Sequence, residues 1–442
     1  MELPLLSAKD LSSETEGTID PLGLYLIADA LGVKMFPGIR ERMSHPRFLT
    51  LTAVSAAVCG DYDEETVAAD GVSSPQQVFE WHVVEGLVRC IEDTADLSGL
   101  PGREKVGKVV KNGQTLSART YLKTPSVFGF HGVYRLLAKT LDIEEDSRLG
   151  ESGYRLLDTW RREQDLPGFY ESCPGRGAGV MRLWRDAVKD GLSKSSVARS
   201  RGWVGWQSLA DHLGPYNAGP KERQMLAHLV FGGATGHTRE IAAFLRSPPG
   251  KAAARAVRKR RDEEGIWSEH LFYEALRPSA SPSLRELLDA VRAYERFARL
   301  LQGAFDQCLY ALSQNNARTS IIALAGERPV DVAAQKAPDA FARAADALAP
   351  TGESPRFLAT FQMLGEKLSA ADWAERLMEH HRKVQKAKPP NGKLPWVDRY
   401  DDGGYRVRTG YVREKKGRVD GGYVHAYRLN TLWLFAQDMG LV

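Results

Sequence analysis

The 442-residue sequence predicts a mainly α-helical protein: a multi-helix body followed by a small C-terminal α+β module that carries a hairpin and resembles a winged helix. Three observations predict it. Apolar residues recur at helical spacing through Leu284, Leu287, Leu288, Val291, Tyr294, Phe297, Leu301, Phe305, Cys308 and Leu312. Two capping signatures, Ser283-x-x-Glu286 and Ser369-x-x-Asp372, precede helical patterns. Beyond residue 388 the pattern changes to short Tyr- and Val-rich runs separated by Gly-rich turns.

Taken in order, segment 1–19 is polar. Asp20 to Leu31 reads as a capped helix with Pro21 in its first turn. Phe36-Pro37-Gly38 is a turn, and Pro46 to Cys59 a buried helix. The acidic loop 61–75 leads into a helix from Pro75 to Asp93. Glycines and prolines between 99 and 130 break any long helix, and segment 115–124 reads as a strand or a short helix. Helices follow at 131–141 and 151–165. Gly175-Arg176-Gly177-Ala178-Gly179 reads as a flexible loop before a helix at 180–191.

The Leu284–Leu312 stripe predicts one long helix, and the second capping signature a helix ending near Lys386. Pro389 to Gly392 is a linker. Leu394–Arg399, Tyr405–Glu414 and Gly422–Arg428 are expected strands around turns at 401–404 and 415–422, and Leu429–Met439 is a closing helix. These breaks suggest four regions: 1–98, acidic and helical; 99–280, helical with Gly/Pro-rich loops; 281–388, a long-helix bundle; and 389–442, the basic hairpin module.

Composition is that of a globular chain, with 43% hydrophobic and 26% charged residues. Cys59, Cys90, Cys173 and Cys308 lie far apart without a CxxC pair, which predicts free thiols in a reducing compartment. The opening residues lack a basic region followed by an apolar core, and the longest apolar run is too short for a membrane span. A cytoplasmic protein without membrane contact is expected.

Charge is unevenly distributed. Residues 1–100 hold 6 Lys/Arg against 17 Asp/Glu; residues 101–140 hold 8 against 1; residues 380–428 hold 13 against 5. Such polarity predicts a polyanion, DNA in the first instance, at the basic end and a partner protein at the acidic end. The candidate contacts are Lys386, Lys388, Lys393, Arg406, Arg408, Arg413, Lys415, Lys416 and Arg418. Arg406 and Arg408 share a strand face, and Arg413 to Arg418 are expected at a hairpin tip. Cations on an extended arm neutralise phosphates, and the interleaved Tyr400, Tyr405, Tyr411 and Tyr423 can stack on bases. Arg258, Lys259 and Arg260, in the run beginning at Lys251, form a second candidate patch. The basic run Arg103, Lys105, Lys108 and Lys111 is similar and equally unspecific.

Other chemistry is weakly encoded. Asp402, Glu414 and Lys416 fit the loose D…ExK spacing of Mg-dependent nucleases, although two of them sit in Gly-rich turns. Glu80, His82 and Glu85 are ligand types on one helix, but the repeated Glu-x-x-His pairs of a di-iron bundle are absent, and the adjacent His380 and His381 diverge. No Walker loop, nucleophile elbow or HExxH motif occurs. No cofactor and no metal are expected.

Asp20-Pro21-Leu22-Gly23, Phe36-Pro37-Gly38 and Arg47-Phe48-Leu49, with the closing Tyr427-Arg428-Leu429, resemble a family of proteins encoded in bacterial anti-phage defence islands. The resemblance covers about a sixth of the chain and extends to Arg40, Arg42 and Arg47 only in part. It implies a subunit of a defence system, beside a helicase or nuclease, and carries over no catalytic residue. The expected function is therefore a non-enzymatic DNA-binding subunit. The alternatives are the nuclease just described and a protein–protein scaffold.

Overall fold

The structure is a computed structural model that describes residues 20–442 apart from 94, 95, 172, 234, 235, 265–267, 316, 317 and 390. Segment 1–19 and Pro390 of the linker thus lie outside the described residues. Helices take up 63% of the described residues and strands 4%, so the mainly helical class holds. No helix among them is long and apolar enough to cross a membrane. The chain divides into two compact units: one of Met1–Met35 with Ala252–Tyr427, the other of Phe36–Lys251 with Arg428–Val442.

The second unit is built around the Phe48–Cys59 helix, every residue of which is buried. Helices Pro75–Cys90, Phe130–Thr140, Glu151–Glu163 and Arg176–Lys194 pack against it. An uncharged, mainly apolar element buried all round needs partners on every side, and these helices supply them. A buried ion pair joins two of its segments: Arg47 Nε lies 3.2 Å from Glu222 Oε1. The closing helix, Leu429–Asp438, is tied in by His45, whose Nδ1 meets Asp438 Oδ2 at 2.6 Å while Nε2 meets the Ser98 carbonyl at 2.7 Å.

In the first unit the predicted long helix runs from Pro282 to Asn315, 34 residues or about 51 Å. All ten residues of the predicted stripe are buried. Helix Arg328–Leu348 packs along it, and Phe297, Phe341, Phe357 and Phe361 form an aromatic cluster with centroid distances of 5.0–5.8 Å. Helix Ala370–Lys386 begins at its expected cap, where Ser369 Oγ accepts from Asp372 N at 3.2 Å, and ends at the expected residue.

Several boundaries differ from expectation, each for a local reason. The first helix is Tyr25–Met35, not Asp20–Leu31. Gly23 adopts φ +71°, and the Asp20 carboxylate folds over the turn to accept from Leu24 N (3.0 Å) and Tyr25 N (2.8 Å). The long helix is capped by Ser281, which accepts from Leu284 N at 3.3 Å, so Ser283 lies inside the helix. Segment 115–124 is neither strand nor helix; Ser117 makes an isolated bridge to Ser196. The 175–179 loop is mostly helix, because Arg176–Lys194 starts earlier than expected. Gly177 is there for close packing: a Cβ on it would lie 2.3 Å from the Leu166 carbonyl oxygen.

The C-terminal hairpin is smaller than expected. Val397–Arg399 pairs antiparallel with Gly404–Val407, whose other edge pairs with Thr319–Ser320. The ladder stops there, and neither the outer part of 405–414 nor 422–428 forms a strand. Several of their backbone groups bond instead to side chains of the long helix, described below.

His380 and His381 diverge as expected, and both are buried. His380 Nε2 meets the Leu22 carbonyl at 2.8 Å. His381 Nδ1 donates to the Pro21 carbonyl (2.8 Å) while its Nε2 accepts from Trp396 N (2.9 Å), a pattern only the neutral ring satisfies. Burial, aided by nearby Lys388 and His380, moves the His381 pKa down from 6.5 to about 4, against the opposing pull of the Pro21 hydrogen bond. Below pH 6.5 the unfolded chain therefore binds a proton that the folded one refuses. Stability contributed by this ring is complete above pH 6.5 and is lost as pH falls towards 4, by up to about 3 kcal/mol. Urea titrations at pH 7, 5.5 and 4.5, read by tryptophan fluorescence, check this: His381→Gln flattens the acid limb, and an unchanged limb removes the assignment.

Candidate nucleic-acid interface

The hairpin positions the first group of candidate cations. Cross-strand partners share a face, so Asp398, paired in register with Arg406, stands on the same side as Arg406 and Arg408. Arg408 is consumed by this neighbour: its Nε and Nη2 lie 2.9 and 2.6 Å from Asp398 Oδ1. Arg406 is exposed, and among the described residues its guanidinium has no carboxylate partner. On the other face Arg399 reaches Glu375 at 2.7 Å, and Tyr405 donates to the same carboxylate at 2.9 Å.

The residues expected at a hairpin tip lie elsewhere. Tyr411 ends a single 3-10 turn, and from Arg413 onward the chain runs as an irregular strap along the Pro282–Asn315 helix. Ser313 Oγ accepts from Arg413 N at 2.9 Å, and Gln307 Oε1 accepts from Gly417 N at 3.0 Å. Arg299 donates to the carbonyls of Gly422 (3.0 Å) and Tyr423 (2.6 Å). Glu295, 1% exposed, accepts from Val424 N, from His425 N and Nδ1, and from the Tyr427 hydroxyl at 2.8 Å. Strap backbone groups at 413, 417 and 422–425 are therefore met by the long helix, and those of Tyr427 by Glu269 and Tyr273, instead of by a partner strand. That is why the Tyr- and Val-rich run 422–428 does not pair as a sheet.

This arrangement leaves Lys415 and Lys416 exposed and, among the described residues, without a carboxylate partner. Arg418 is exposed, with Asp420 at 3.6 Å. Arg413 is half-buried, its guanidinium 5.5 Å from the Trp396 ring centroid, and Trp396 in turn stacks on Tyr411 at 4.6 Å. Among the remaining candidates, Lys386 is exposed in the last turn of its helix. Lys388 is a structural tie: its Nζ donates to the Asp20 carbonyl at 2.8 Å and to Gln385 Oε1 at 3.1 Å, and burial lowers its pKa. Lys393 is engaged within the protein.

The second patch lies on the Pro248–Glu264 helix. Arg258 and Arg260 are engaged within the protein, and Lys259 Nζ is 3.8 Å from Glu263 Oε1. Its charges are thus partly neutralised where they stand. Among the basic residues of 101–111, Lys105 and Lys108 border a cleft with Arg103 and Glu104.

The carboxylates of the nuclease alternative lie on separate segments. Asp402 sits in the hairpin turn, where Gly404 N (2.9 Å) and Arg318 (3.2 Å) hold its carboxylate below the usual range. Glu414 is exposed on the strap. Among the described residues no group of three or more His, Cys, Asp or Glu side chains is arranged to hold a metal ion. Glu80 accepts from Tyr121 Oη at 2.6 Å and from the backbone N–H groups of Phe130 and His131; His82 donates to the Val78 carbonyl at 2.8 Å; Glu85 binds Arg89 at 2.7 Å. The described cysteines are unpaired, and burial raises the Cys59 and Cys308 thiols to about 12.

Fold and site together define a mainly helical protein of two units, one of which displays a short basic hairpin and strap. Comparison with protein-family models, with curated proteins and with solved structures finds no match.

Sequence reasoning missed the strap and the residues that hold it. Their signal was present: Glu295, Arg299, Gly303 and Gln307 recur every four residues, a polar ridge on a helix otherwise rich in apolar residues.

Proposed function

We propose that this protein is a non-enzymatic subunit that binds DNA through the hairpin and strap of its first unit. The observation that carries the reading is the exposure of Arg406, Lys415 and Lys416, cations that no carboxylate among the described residues neutralises, on a backbone tied to the long helix at Arg413 and Gly417. In this reading the hairpin serves as a wing, as in a winged-helix module, and the strap lies beside it. Backbone phosphates are the ligand, because isolated cations recognise charge and not base sequence. The acidic end docks a partner protein, a helicase or nuclease, through exposed acids such as Asp63, Glu64 and Glu65. A bacterial anti-phage system is the setting that the N-terminal resemblance suggests, and the identity of neighbouring genes tests it.

The decisive experiment reverses Arg406, Lys415 and Lys416 together to glutamate and titrates a short labelled duplex at several salt concentrations. Affinity at low salt falls on the order of a hundredfold, and the slope of log K against log[salt] shrinks by about 0.9 per lost phosphate contact. Arg408 is left intact, since its loss would strand Asp398. Binding that equals the parent's at every salt concentration refutes the reading.

A further inference from the structure

Between Gly417 and His425 the strap is held largely through its backbone. Along the helix, Glu295, Arg299, Gly303 and Gln307 occupy successive positions of one i, i+4 ridge. Along the strap, running the opposite way, they meet residues 424–425, 422–423, 418 and 417 in turn. Three of the four bind by hydrogen bonds to peptide groups. The fourth works by having no side chain. A Cβ on Gly303 would lie 2.0 Å from the Arg418 carbonyl oxygen and 2.9 Å from Val419 N. The contact is reciprocal: a Cβ on Gly417 would lie 2.0 Å from the Gly303 carbonyl oxygen and 2.4 Å from Gln307 N. Two backbones touch here, at a distance that only paired glycines permit.

The geometry points to a backbone clamp, centred on the Gly303–Gly417 contact, that positions Lys415, Lys416 and Arg418 for phosphate binding and so sets the affinity of the site. This rests on the nucleic-acid reading above and deepens it. Because the helix grips peptide groups, the neighbouring side chains are left exposed, as all three cations are. A pinned arm has already lost the conformational freedom that a loose one would lose on binding. The glycine and glutamine of the clamp are positioning residues: they touch the strap and not the ligand.

Gly303→Ala isolates this role. Alanine is a better helix former than glycine, so the helix itself is not weakened, yet the new methyl group must push the strap away. In the variant, trypsin cleaves after Lys415, Lys416 or Arg418 at least tenfold faster while helix content by circular dichroism is unchanged. Affinity for the labelled duplex falls about tenfold. Its salt slope stays at the parent value, because the number of phosphates contacted in the complex is the same. Charge reversal, by contrast, lowers the slope. Should Gly303→Ala not fold, Arg299→Ala with Gln307→Ala removes three backbone hydrogen bonds and is read in the same way.

Trypsin cleavage no faster than in the parent overturns the clamp. Fast cleavage with parental affinity, in a protein whose charge-reversed variant binds poorly, overturns the link between clamp and affinity while the nucleic-acid reading stands. Parental affinity in the charge-reversed variant removes that reading, and the clamp's role in affinity with it.

Discussion

Replacing Arg47 by leucine is expected to destabilise the second unit by about 3–5 kcal/mol, the loss typical when one partner of a buried ion pair is removed. The side chain is 1% exposed; its Nε forms an ion pair with Glu222 Oε1 at 3.2 Å, and it donates hydrogen bonds to the Gly214 carbonyl at 2.6 Å and the His212 carbonyl at 2.8 Å. Burial pushes the Arg47 pKa down and the Glu222 pKa up, each towards its neutral form, and their mutual attraction opposes both shifts. Without the guanidinium, Glu222 keeps only the Thr50 hydroxyl, at 2.8 Å, as a side-chain donor. The variant's Tm then falls by about 10 °C. Glu222→Leu alone costs a similar amount. Arg47→Leu with Glu222→Leu costs much less than the sum, since the penalty comes from the stranded charge and not from the loss of a favourable pair. Strict additivity in a thermal or urea double-mutant cycle would show that the two groups do not depend on each other.

Glu295→Ala is expected to act with comparable force in the first unit. One carboxylate there satisfies two backbone N–H groups, the His425 ring and the Tyr427 hydroxyl. Truncation leaves all four donors facing an apolar void, and unmade buried hydrogen bonds cost about 1–3 kcal/mol each before relaxation. A net loss of about 3–5 kcal/mol follows, because solvent entering the gap recovers part of it. The effect is local in origin. Hydrogen exchange at the Val424 and His425 amides accelerates by two or more orders of magnitude, whereas amides of the Phe48–Cys59 helix, in the other unit, keep their protection. Parental protection at 424 and 425 would mean that the strap is held by its flanks and not by this carboxylate.

Periodicity made the helices legible. The stripe from Leu284 to Leu312 and the uncharged, mainly apolar 48–59 segment read correctly because a helix declares its buried face within its own sequence. The Ser369–Asp372 cap read correctly because capping is a contact between near neighbours. The strap did not. Residues 422–428 have the composition of a strand, but a strand needs a partner, and composition does not say whether the partner is another strand or a helix side chain. Here the acceptors come from Glu295 and the donors from Arg299, more than 120 positions away in the chain.

The candidate site was legible as a cluster of charges but not as an inventory of available ones. Arg406 and Arg408 are two residues apart on one face, yet Asp398 neutralises only Arg408. Lys388 looks like its neighbours in sequence, yet it ties down the Asp20 carbonyl.

By itself the sequence determined the most strongly periodic helices, such as 282–315 and 370–386, their apolar faces and where positive charge concentrates, because each depends on residues within a few turns of one another. Tertiary structure alone decided which cations remain exposed, that residues 20–35 share a unit with 252–427, and that two glycines 114 positions apart meet backbone to backbone. Those outcomes depend on what distant segments bring to the contact, and local pattern carries no record of that.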